Sequence, residues 1–156
     1  MLVLSLLLCA IMLVAGMAFL SQRASESRWS QQALYALQAR CLAEAGLEEA
    51  RLKLGKCYDF PPTRLEQRQF TYSEDVAAAH GALPGSYTVT IDWRYAQAGE
   101  AYQVILVSST GRLGPRHQVL AQRTLYAELD GAPTRSGPAL NPKLFHWIEF
   151  RDEGSL

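Results

Sequence analysis

The stretch that decides the fold is MLVLSLLLCAIMLVAGMAFL (residues 1–20), which runs without a proline into SQRASESRWSQQALYALQARCLAEAGLEEARLKL (residues 21–54). Residues 2–20 are Leu, Val, Ile, Met, Ala and Phe, interrupted only by Ser5, Cys9 and Gly16. About twenty apolar residues in a row is the length that crosses a bilayer core as a helix. A cleaved signal peptide is the competing reading. The run exceeds the usual signal core, no Lys or Arg precedes it, and Ala15-Gly16-Met17-Ala18 makes a poor cleavage site, so a retained anchor is expected over residues 1–21.

Residues 22–54 are rich in Ala, Leu, Gln, Glu and Arg, with Gly46 the one strong breaker, and predict an amphipathic continuation of the same helix. Trp29, Ala33, Ala36, Ala39, Ala43, Leu47, Ala50 and Leu54 recur every three or four residues and mark one face. Most are small, so another element can approach the helix backbone closely along that face. Arg40 with Glu44 and Glu49 with Lys53 stand four apart and read as solvated pairs.

Gly55-Lys56 fits a helix stop, and Pro61-Pro62 prevents quick resumption. Residues 55–130 are expected to hold a connector and an antiparallel sheet domain. The connector extends to about Pro84, with a short helical signal at 74–79. From Gly85 the period changes to two: Tyr87, Val89, Ile91 and Trp93 alternate with Thr88, Thr90, Asp92 and Arg94. A turn is expected at 97–100, then a central strand from Tyr102 to Ser109, a loop marked by Thr110-Gly111 and Gly114-Pro115, and a third strand from Val119 to Leu129. Short connections make these an antiparallel meander. Residues 131–156 read as a Pro/Gly linker with an aromatic tail. The linker signal starts at Asp130 and ends at Pro142, and Leu144 to Phe150 is expected first of all as an edge strand, ahead of a tucked segment or a docking peptide.

The chemistry is bland. Fifteen Lys+Arg balance fifteen Asp+Glu, and the arginines are scattered, so a nucleic-acid partner is not expected. Cys9, Cys41 and Cys57 have no metal-type spacing, and Cys41 can reach Cys57 only if the helix stops early. His80, His117 and His146 share no short ligand spacing, no phosphate-cradling glycine loop occurs, and no Gly-x-Ser-x-Gly elbow is present. Trp29, Trp93 and Trp147 each have a plain packing role in this reading. No catalytic, cofactor-binding or metal-binding residue is singled out, no cofactor is expected, and the chain reads as a non-enzyme.

The run Ala33 to Ala50, with Leu42-Ala43-Glu44-Ala45-Gly46-Leu47-Glu48 at its centre, lies some twenty-odd residues beyond the apolar span. Together with Val107-Ser108-Ser109-Thr110-Gly111, Arg123 and the alternating Leu125 to Leu129, it resembles the type IV pilin-like proteins, in particular minor pilins and the pseudopilins of type II secretion. The resemblance covers residues 1 to about 130, and the helix segment is its more specific part. It implies a pilin-like α+β fold, a long N-terminal helix packed on a small antiparallel sheet. It implies other pilins or pseudopilins as partners through that helix, and inner-membrane lipid around it before assembly. The implied location is a bacterial inner membrane crossed once, with a periplasmic C-terminal domain that reaches the cell surface or filament after assembly. Arg23 and Arg28 flank the span and would alone favour the opposite orientation. If Met1 is the first mature residue, Ser5 stands where the family usually has a glutamate, which suits a minor subunit. A single-pass envelope scaffold or binding domain outside any filament is the alternative.

Overall fold

Strong helix formers with no intervening proline leave the backbone ladder unbroken, and helix α1 runs Leu2–Lys56 in the computed structural model. The structure describes residues 2–57, 60, 68–77, 83–96, 103–134 and 140–153. The chain divides into two compact units, Met1–Leu34 and Tyr35–Leu156. In the first unit every described residue belongs to the helix. The second holds the remainder of α1 and five strands, β1 (Gln69–Val76), β2 (Gly85–Asp92), β3 (Val104–Leu113), β4 (Ala121–Asp130) and β5 (Trp147–Asp152).

The strands form one antiparallel sheet in chain order, β1-β2-β3-β4-β5, which makes the class α+β. β3 is central, as its nearly continuous apolar run predicts, and β5 is an edge strand. Alternation decides the faces: Tyr87, Val89 and Ile91 of β2, Val107 of β3, and Leu125, Ala127 and Leu129 of β4 are buried against Ala43, Leu47 and Ala50 of α1. Burying a side chain the size of Leu47 or Ile91 contributes roughly 1.5–3 kcal/mol.

Small residues on α1 set how close the layers lie. Ala39, Ala43, Gly46 and Ala50 are buried, whereas Trp29 and Ala33, the first members of the expected stripe, are exposed. The packed stripe therefore begins near Ala36. Gly46, expected as a breaker, is inside the helix: a Cβ there would come 2.8 Å from the Tyr87 ring. On the sheet side, a Cβ at Gly111 would fall 2.1 Å from the Ala39 carbonyl oxygen. Helix backbone rests directly on the central strand.

Three local expectations need correction. The helical signal at 74–79 gives way to strand β1, whose alternating Phe70 and Tyr72 pack on Phe60 with ring centroids 5.6 and 5.7 Å away. Tertiary packing outweighs the weak propensity of Glu74-Asp75-Val76-Ala77, and Ala78 and Ala79 lie outside the described residues. Thr110-Gly111 is not a loop but part of β3, pairing with Thr124 and Arg123. The turn comes later, at Gly114, whose φ of 108° suits glycine. Asp130 closes β4 instead of opening a linker, and Asn141 binds back to it. The turn expected at 97–100, along with Tyr102 and His80, is outside the described residues.

Candidate functional site

In the first unit the notable feature is apolar surface. Val3, Leu4, Leu6, Leu7, Ile11 and Leu13 are all exposed, and the exposure continues to Phe19 and Leu20. The helix is long and apolar enough to cross a membrane, and none of its most apolar window is buried. Immersion in lipid or packing against other helices removes such a surface from water.

In the second unit, polar side chains gather in three places. The first ties the end of α1 to the sheet. Lys53 Nζ sits 2.7 Å from both Glu49 Oε1 and Glu74 Oε1 and 4.3 Å from the centre of the Tyr72 ring, while Tyr87 Oη–H donates to Glu49 and, at 3.3 Å, to Glu74. Burial works against the Lys53 charge, yet hydrogen bonds to Glu49 and Glu74 outweigh it and hold its pKa above the ordinary value. The Lys53 hydrogen bond holds the Glu74 carboxyl below the usual range, and burial pushes the Tyr72 and Tyr87 phenols up. Glu49–Lys53 was expected as a plain solvated pair; β1 and β2 turn it into a network joining helix to sheet.

The second is a clasp around Asp130. Asn141 Nδ2 donates to Asp130 Oδ2 at 3.0 Å and to the Ala132 carbonyl at 2.8 Å, and Ala132 N–H donates to Asp130 Oδ1 at 3.1 Å. Phe145 N–H reaches the Asp130 carbonyl at 2.8 Å with φ at 58°, left-handed for a non-glycine residue. This reversal leads into β5, where Trp147 Nε1–H donates to Glu48 at 2.9 Å. Trp147 and Trp93 are thus both packed, partly buried, on the domain, while Trp29 is 73% exposed.

The third is a groove of about 340 Å³ on the sheet face opposite α1. Cross-strand register builds it: Thr90, Ser108, Tyr126 and Arg151 form one row, and Asp92, Leu106, Glu128 and Glu149 the next. Asp92 is held below the usual carboxylate range by the Arg94 guanidinium, whose Nε lies 2.8 Å away. Arg151 likewise holds down Glu149, its Nε and Nη2 at 2.6 and 2.8 Å. Sequence alternation alone assigns Thr124, Tyr126 and Glu128 to one face of β4, but it does not reveal which β5 residues stand beside them, because β5 enters through a register shift at Glu128/Leu129.

His117 and His146 are exposed and far apart in the chain, and no group of three His, Cys, Asp or Glu gathers as metal ligands among the described residues. Cys9, Cys41 and Cys57 are free and exposed. Comparison with protein-family models, curated proteins and solved structures finds no match to the chain.

Proposed function

We propose that this protein is a non-enzymatic structural subunit of a type IV pilus or a type II secretion-like filament, a minor pilin or pseudopilin that initiates, caps or modifies assembly through its N-terminal helix. The observation that carries the reading is α1 itself. Its first part is an unburied apolar span, and the same helix ends as the small-residue platform of an antiparallel sheet. Before assembly the span rests in the inner membrane. On assembly its surface moves from lipid to neighbouring helices, a transfer between two apolar surroundings that costs little because residues 2–20 carry no charge. The sheet domain, on the periplasmic side, then carries recognition.

The test is site-specific photocrosslinking from Leu7, Ile11 and Val14 in cells that express the full chain, combined with deletion. The reading expects crosslinks to other filament subunits and impaired pilus or secretion function. Crosslinks to lipid alone, with both functions intact after deletion, would leave the single-pass scaffold as the better account.

A further inference from the structure

We propose that the groove on the open sheet face docks a basic segment of a partner polypeptide, with an Arg or Lys side chain lying against Tyr126 between Glu128 and Glu149. Glu128 and Glu149 stand directly opposite each other on adjacent strands, an arrangement that like charges make unfavourable. Arg151 is the one cation among the described lining residues, against Asp92, Glu128, Glu149 and Glu153. Its guanidinium is engaged by Glu149, and Asp92 is engaged by Arg94, which leaves Glu128 and Glu153 in excess. The excess is local, because the chain as a whole is balanced at fifteen charges of each sign.

Two further observations define the occupant. Tyr126 is 41% exposed in the middle of the charged rows and offers an aromatic face to a cation. Elsewhere on this sheet face hydroxyls satisfy one another, Thr71 with Thr90 and Ser73 with Thr88 at 2.9 Å and Thr110 with Thr124 at 3.0 Å, Asp75 pairs with Arg116, and Arg112 adds a cation, so the acidic excess is confined to the groove. The groove also opens on β5, the edge of the sheet, where an extended chain finds main-chain groups that no described strand pairs. A cationic polypeptide meets both features, whereas a small cation meets only the first.

The experiment uses the full chain in nanodiscs and a labelled peptide of alternating Gly and Arg, with the Gly/Glu peptide, spermine and Ca²⁺ as separate arms. Binding of the Arg peptide, weakened by salt, is expected to fall about tenfold in Glu128→Gln and several-fold in Tyr126→Ser, and to stay unchanged in Glu26→Gln. Glu128→Gln is also expected to raise the melting temperature, since it removes the opposed charge. Absence of binding, an equal loss in Glu26→Gln, or a fall in both binding and melting temperature for Glu128→Gln overturns the proposal. So does binding of spermine or Ca²⁺ that the Arg peptide cannot displace.

Discussion

Gly46 on the helix faces Ser109 on the central strand so closely that a Cβ on the glycine would come 2.5 Å from the serine Oγ. The Ser109 hydroxyl is itself buried with no hydrogen-bond partner, a condition that costs about 1–3 kcal/mol. The pair shows how tightly helix and sheet are pressed together.

Gly46→Ala gains roughly 1 kcal/mol of helix propensity but must displace Ser109, Tyr87 and Val89, and overpacking costs about 1–3 kcal/mol. A net loss is expected in urea unfolding, and adding Ser109→Ala is expected to recover part of it. Gly111→Ala should be worse, because its neighbours are helix backbone atoms that cannot rotate away. Equal stability of the two single variants would contradict this ranking.

At low pH the Lys53 network should weaken. Glu74 has a folded pKa below its unfolded value of about 4.3, so its contribution is present above that value and is lost as pH falls through the folded pKa. Its side chain is 45% exposed, and solvent screening keeps the effect modest. The stability advantage of the wild type over Glu74→Gln is expected to shrink between about pH 5 and pH 3. Urea midpoints that differ by the same amount at pH 7 and pH 3 would count against it.

Asn141→Ala removes the amide that donates to both Asp130 Oδ2 and the Ala132 carbonyl in a buried clasp. A loss of about 1–3 kcal/mol is expected. Hydrogen exchange should show β5 losing protection before β2 and β3; uniform loss across the sheet would mean the clasp does not act on β5.

Cys41 and Cys57 should never form an intramolecular disulfide in the folded chain. Because α1 continues to Lys56, the two lie about 24 Å apart along its axis, against the roughly 7 Å limit between Cα atoms. Under mild oxidation a non-reducing gel is expected to show monomer or intermolecular dimer, with both thiols of the monomer open to alkylation.

The long helix, the central position of β3 and the alternation of β2 and β4 were legible because each rests on a local pattern: a period of 3.6 for Ala39 to Leu54, a continuous apolar run at Val104 to Val107, and a period of two for Tyr87, Val89 and Ile91. β1 was not, since Phe70 and Tyr72 become a strand only through Phe60 and the edge of β2. Glu128, Glu149, Tyr126 and Arg151 are ordinary residues in the sequence. Only the shifted entry of β5 brings them together, and that depends on the Asp130–Asn141 clasp and the left-handed Phe145.

The order of strands in the sheet also governs how the domain is built. Each strand pairs only with its neighbours in the chain, so loops close over short distances and the entropic barrier to folding stays low. During synthesis the helix emerges first, and its sheet-binding face waits bare until β2, β3 and β4 follow. A face made mostly of Ala39, Ala43, Gly46 and Ala50, with Leu47 its one large fully buried side chain, exposes little greasy area in that interval. The residues that let the layers touch in the finished protein thus also limit aggregation of the unfinished one.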